Sequence, residues 1–185
     1  DFAMISQMLL ITTLALPIAL LLGCLSGGLR KLMPAFLWLA PVPALGAALF
    51  GAWDSPLVLD WAPYQVTLML DASGSMLLTA ASLLWIAAGV YAPSFFRGRA
   101  IGGSFAVCWL FTLIGSLGIF LAADLAGFLF FYALVSLPAF GLVTYDGTPS
   151  AWRAGAIYTG FALLGEGLLL MGFVLLAANL PEGSL

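Results

Sequence analysis

The chain has no histidine, only two cysteines and only five basic residues among 185 positions. The first absence excludes a histidine-ligated metal site and a histidine general base. Cys24 and Cys108 lie in separate apolar runs, where a thiol serves as a small packing group. Two such cysteines make neither a disulfide framework nor a metal centre. Charged residues are just 7% of the chain against 64% hydrophobic, and the mean hydropathy is +1.18. A polypeptide this poor in charge has lipid as its solvent. Its net charge is −3 and its isoelectric point about 4.4. With no basic patch to meet phosphates, nucleic acid is excluded as a partner.

A transmembrane helix needs ~20 mostly apolar residues to cross ~30 Å of hydrocarbon. Six runs qualify, roughly Met4–Gly27, Met33–Trp53, Ala72–Ala92, Ile101–Ala123, Leu125–Tyr145 and Trp152–Ala178. They are apolar on every face, unlike the amphipathic helices of a water-soluble fold. The expected fold is an all-α polytopic membrane protein of six helices. The first run is too long for a signal-peptide core and has no basic residue ahead of it. Arg30 and Lys31 fall in the first loop, Arg97 and Arg99 in the third and Arg153 in the fifth. Cationic loops stay in the cytoplasm. The amino terminus, with Asp1, Asp54, Asp60, Asp71, Asp124 and Glu182, then lies outside. This predicts a multi-pass protein of a bacterial-type inner (cell) membrane.

Between the second and third runs, Leu57–Asp60 and Val66–Leu70 are short and β-prone, with Trp61–Tyr64 as turn chemistry. They read as a small external β-hairpin or as an irregular loop anchored at the headgroups by Trp53, Trp61 and Tyr64. Gly115 and Gly118 in the fourth run, and Gly155, Gly160, Gly165, Gly167 and Gly172 in the sixth, suit close helix packing. Pro17, Pro41, Pro43 and Pro138 lie within spans, and each frees a carbonyl that a neighbour must satisfy.

Glu166 is the residue that stands out, set among leucines and glycines in the middle of the sixth run. A carboxylate at that depth is costly, and such groups face a bundle interior or a water-filled cavity, often as proton relays. Thr159 lies seven residues earlier on the same helical face and Tyr158 close to it. Ser136, two residues before Pro138, and Thr144 belong to the fifth run. Tyr158, Thr159 and Ser136 are the candidate supporting hydroxyls, though hydroxyls in membrane helices more often bond to the backbone. Asp124 and Asp71 sit at membrane edges just ahead of helices and read as N-caps. Arg153 reads as an interfacial anchor.

The run Asp124–Phe140 (DLAGFLFFYALVSLPAF), then Arg153-Ala154-Gly155-Ala156-Ile157-Tyr158 and Leu164-Gly165-Glu166, together form a recognisable pattern. With Leu68–Gly74 (LMLDASG) upstream, they resemble the antiporter-like proton-translocating membrane subunits. These occur in respiratory complex I, an NADH:quinone oxidoreductase, in group 4 membrane hydrogenases and in multisubunit sodium/proton antiporters. The resemblance implies a fourteen-helix protein of two inverted five-helix repeats. Residues 1–185 would be a single transmembrane domain from its amino-terminal portion. It also implies an external hairpin, no metal or organic cofactor, and no catalytic site in this chain. Its partners would be other integral membrane subunits, the lipid bilayer, and protons or sodium ions.

Two departures qualify the expectation. The family usually has a glutamate just after the aromatic of the fifth helix, where this chain has Ala133 after Tyr132. It often has a lysine near the start of the sixth, where this chain has Ile157. The resemblance therefore implies a subunit of a proton- or cation-translocating complex with a degenerate path in this segment, keeping Glu166 as its station. The alternatives are a non-translocating scaffold, or the membrane partner of an ion-driven inorganic-carbon uptake pump.

Overall fold

In hydrocarbon an unpaired peptide group costs several kcal/mol, so apolar runs close their hydrogen bonds within themselves as helices. The computed structural model describes residues 2–26, 33–51, 56–61, 64–96 and 102–179. Its elements are α1 (Phe2–Leu25), a 3₁₀ segment (Met33–Leu39), α2 (Val42–Phe50), strands β1 (Leu57–Trp61) and β2 (Tyr64–Leu68), α3 (Ala72–Phe95), α4 (Gly103–Leu121), α5 (Leu125–Val143) and α6 (Pro149–Asn179). Five of these helices are long and apolar enough to cross a membrane: α1, α3, α4, α5 and α6.

The second run differs from the single helix expected. It divides at Pro41, and Pro43 follows inside the first turn of α2. Proline has no N–H to give the α ladder, so the ladder restarts there. The division does not shorten the span much. Seven 3₁₀ residues rise ~2.0 Å each and nine α residues ~1.5 Å each, about 27 Å together. The 3₁₀ segment and α2 both pack along α3. At the closest point, a methyl placed on Gly89 would lie 2.6 Å from the Trp38 Cα.

The helices are sorted as lipid requires. In α1 the buried stripe is Ser6, Leu10, Thr13, Pro17, Leu21 and Cys24. In α3 it is Gly74, Ser75, Leu78, Ser82, Gly89 and Ala92. These inner faces mix small and hydroxyl-bearing residues with a few leucines, while the outer faces carry large apolar groups such as Met8, Met76 and Leu84, 63%, 77% and 71% exposed. That is the inverse of a water-soluble surface and matches helix packing in membranes.

At the centre stands α4, with α1, α3 and α5 packed around it. Two glycines set its approach to α5. A methyl on Gly115 would lie 2.7 Å from the Val135 amide nitrogen, and one on Gly118 would meet the Phe131 ring at 2.1 Å. The glycines expected to pack α6 behave differently. Gly155 is pressed against Thr144 and Phe140, but Gly160, Gly167 and Gly172 have nothing within 4 Å of where a methyl would be. α6 packs against α5 on one side, and these three positions lie off that seam.

The hairpin forms, and its register is Leu57↔Leu68, Val58↔Thr67, Leu59↔Val66, Asp60↔Gln65 and Trp61↔Tyr64. Trp61 and Tyr64 are thus strand residues paired across the ladder rather than turn residues, as fits aromatic groups. Trp53 lies outside the described residues, and of Trp61 and Tyr64 only the backbone is described. β2 continues onto the α4–α5 junction through a bridge between Leu68 and Ala122. There the Met69 amide donates to the Leu121 carbonyl (2.8 Å) and the Ala123 amide to the Thr67 carbonyl (2.9 Å). Asp124 joins both parts. Its Oδ1 caps α5 by accepting from the Gly127 amide at 2.5 Å, and its Oδ2 accepts from the Thr67 amide at 2.7 Å. Asp71 caps α3 in the same way through the Gly74 amide, 2.6 Å away.

The opposite end of α4 is closed by aromatic rings. The Gly102 amide donates to the Tyr145 hydroxyl at 3.0 Å, and Phe96, Phe105 and Tyr145 meet edge to face at 4.8–5.5 Å. α6 starts beyond this end, with the Thr148 hydroxyl accepting from the Ala151 amide at 3.2 Å and Pro149 in the first turn, where its missing N–H is harmless. Arg153 is exposed in the first turns of α6, at the end away from the hairpin. Arg30, Lys31, Arg97 and Arg99 lie outside the described residues, as do Asp1, Asp54 and Glu182.

The two kinds of glycine should respond oppositely to a methyl group. Gly115→Ala is expected to destabilise the detergent-solubilised protein by about 1–3 kcal/mol through overpacking. Gly160→Ala should be neutral or stabilise by up to about 1 kcal/mol, through the lower chain entropy of alanine. Thermal unfolding of both variants checks this, and equal effects would contradict the close α4–α5 approach.

Candidate functional site

Many Ser and Thr hydroxyls of the described helices turn back on their own backbone. Thr13 donates to the Leu9 carbonyl (2.8 Å), Ser82 to that of Leu78 (2.6 Å), Thr112 to that of Cys108 (2.8 Å) and Thr144 to that of Phe140 (2.9 Å). This is how a hydroxyl is satisfied in lipid without a partner helix. Ser136 departs from the pattern. Its hydroxyl reaches across from α5 and donates to the Glu166 Oε1 on α6.

The antiparallel pairing of α5 and α6 explains why these two residues meet. Phe128 packs edge to face on Phe173 with ring centroids 6.0 Å apart, and Phe140 on Trp152 at 5.8 Å. Between these contacts the chains run past each other in opposite senses, which brings Ser136 level with Glu166. Tyr132 and Ser136 are one helical turn apart and share a face. The Tyr132 hydroxyl lies against α6 at Gly165, 3.6 Å from where a methyl there would sit. Tyr158 is within electrostatic reach of both Tyr132 and Glu166.

The two sides of Glu166 are unlike. Toward the hairpin end, Tyr132 stacks on Phe128 at 6.2 Å and Phe128 meets Phe173, so rings flank the seam there. Toward the Arg153 end there is an open groove of about 320 Å³ between the helices. Ser136, Leu137 and Phe140 line it from α5, and Ala156, Thr159, Ala162 and Leu163 from α6. Glu166 is not in its wall. Ser136 thus meets both the groove and the carboxylate.

The hydroxyls expected around Glu166 separate into three cases. Ser136 bonds to it directly. Thr159 lines the groove but gives its hydroxyl to the Gly155 carbonyl, 2.9 Å away. Tyr158 lies near without a place in the groove wall. Tyr132 was missed as a member of the cluster, although its i, i+4 spacing to Ser136 was a readable signal. Ile157 is 54% exposed and faces away from the seam. Ala133 supplies only its carbonyl, 3.3 Å from the Ser136 hydroxyl. The donor set is entirely oxygen, suited to protons and hard cations. Among the described residues no three His, Cys, Asp or Glu side chains converge.

No protein-family model matches the chain. It is 29% identical to a Staphylococcus saprophyticus protein bearing the name antiporter subunit mnhD2, over 73% of this chain and 28% of that protein. It is 27% identical to a Rhizobium meliloti protein named as a subunit of a K(+)/H(+) antiporter, over 73% of this chain and 23% of that protein. The chain spans about a quarter of the length of these curated relatives.

The seam predicts that Glu166 is dispensable for folding. In Glu166→Gln the side-chain carbonyl still accepts from Ser136, and in Glu166→Leu the serine retains the Ala133 carbonyl. Both variants should lose no more than about 1 kcal/mol, read as the melting temperature in detergent. A variant that fails to accumulate would contradict this.

Proposed function

We propose that this antiporter-like membrane subunit helps to move protons or cations across a bacterial inner membrane, as one component of a larger complex, with Glu166 as a titratable station. Two bacterial antiporter subunits match the chain along 73% of its length, and its helices are long and apolar enough to cross lipid repeatedly. The reading rests on one observation above the others: the acid at mid-helix in α6 is held across the seam by Ser136, beside an open groove. A carboxyl group in that setting has a hydroxyl to exchange a proton with and a space through which the proton can arrive. The substitutions at Ala133 and Ile157 make the rest of the path in this segment sparse, so charge must continue through neighbouring helices. In the low-dielectric interior, a charge change at one station alters its neighbour's proton affinity. The amino terminus and hairpin face outward, and the Arg153 end faces the cytoplasm.

A scaffold reading competes on a specific point: Ile157 faces outward, so a basic partner for Glu166 is lacking at that position. Proton uptake into membrane vesicles separates the two. Glu166→Gln is expected to slow uptake about tenfold or more while assembly stays normal. Unchanged flux would reject the station and favour the scaffold. Orientation has its own check. Arg153→Cys should react with a membrane-impermeant thiol reagent only from the cytoplasmic side, and labelling from outside would overturn the topology.

A further inference from the structure

We propose that Ser136 is the proton gate of Glu166, passing protons between the α5–α6 groove and the carboxyl group. The proposal rests on the reading of Glu166 as a station and adds how a proton reaches it.

Three observations carry the assignment. Ser136 lines the groove and Glu166 does not. The Ser136 hydroxyl donates to Glu166 Oε1. The same hydroxyl lies 3.3 Å from the Ala133 carbonyl. A serine hydroxyl carries one proton and can accept as well as donate. With Glu166 ionised, Ser136 donates to the carboxylate. With Glu166 protonated, the carboxyl O–H donates to the Ser136 oxygen, and the serine proton turns to the Ala133 carbonyl. The Ser136 hydroxyl and the Glu166 Oε1 each keep a partner in both states. In a low-dielectric seam an unpaired polar group is expensive, so a site satisfied in both states lets the proton come and go without a large penalty in either. The other titratable groups at the seam are Tyr132 on α5 and Tyr158 on α6.

The transfer step balances. A hydronium ion in the groove gives its proton to the Ser136 oxygen as the serine's own proton moves to Glu166 Oε1. One water molecule and one neutral carboxyl group result, and the serine is unchanged. The reverse step discharges the acid. Rings of Phe128, Tyr132 and Phe173 flank the seam on the hairpin side, and exchange through Ser136 uses the groove on the Arg153 side. The groove reaches Ala156, ten residues before Glu166 on α6 and about 15 Å along the helix.

The test uses the full-length protein in native membrane vesicles. Ser136→Ala is expected to slow proton uptake about tenfold or more with normal protein levels. Ser136→Thr, which keeps the hydroxyl, should restore most of the rate. In infrared difference spectra taken on acidification, the carboxyl stretch that Glu166→Gln abolishes should shift in Ser136→Ala and return in Ser136→Thr. Wild-type flux in Ser136→Ala, with Glu166→Gln inactive, overturns the gate and leaves the station standing. Wild-type flux in both variants overturns both. Equal slowing in Ser136→Ala and Ser136→Thr also overturns the gate, since the hydroxyl would not be the cause. If the alanine variant fails to accumulate, Ser136→Cys decides: its weaker donor should give intermediate flux, and full flux overturns the proposal.

Discussion

A polar atom in hydrocarbon has no water to bond with, and this constraint orders the whole chain. It makes the apolar runs helical, it turns Thr13, Ser82, Thr112 and Thr144 back onto their own carbonyls, and it sends large apolar side chains outward. It also makes one bond conspicuous. Ser136 gives its hydroxyl to a different helix, although the Ala133 carbonyl is within reach on its own. The carboxyl group of Glu166 has no backbone donor inside a closed helix, so its partner must come from another element.

The seam depends in turn on the rest of the bundle. α5 is fixed by its approach to α4, where Gly115 and Gly118 leave no room for a side chain. The start of α5 is fixed by Asp124, whose two oxygens hold the Gly127 amide of the helix and the Thr67 amide of the hairpin. A single carboxylate therefore joins the hairpin to the helix that carries Ser136. An asparagine would set an NH2 donor against one of those two amides. The far end of α4 is closed separately, by the Gly102–Tyr145 bond and its cluster of rings. α6 is held through its seam with α5, and its outer face carries Leu164, Leu168 and Met171 in the open.

Much of this was legible in the residue order because lipid imposes simple rules. Five long apolar runs could only be helices, and Asp71 and Asp124 announced their caps by standing just ahead of two of them. Pro41 and Pro43 were visible, but their consequence was misjudged. A span was expected to stay helical through them, whereas it breaks into a 3₁₀ segment and a short helix. The glycines of α6 misled for a related reason. A glycine permits close approach without requiring it, and Gly160, Gly167 and Gly172 meet nothing. The pairing of Ser136 with Glu166 spans thirty residues and two helices. Such a contact follows from how α5 and α6 slide past each other, and no local pattern reports that offset.

Magnitudes bear on why an acid stands at position 166. A charged residue at the centre of a membrane helix costs about 2.5–3.5 kcal/mol on insertion scales. A hydrogen bond between membrane helices contributes on average about 0.6 kcal/mol, with a maximum near 1.7. The Ser136–Glu166 bond alone thus falls short of offsetting a permanent charge. A leucine at 166 and the Ala133 carbonyl for Ser136 would hold α5 to α6 at least as well. As pure architecture the acid is a net loss. In the proposed role it alternates between charged and neutral forms and bears the charge only part of the time. Rings flank it toward the hairpin, and a hydroxyl at the edge of an open groove meets it on the other side.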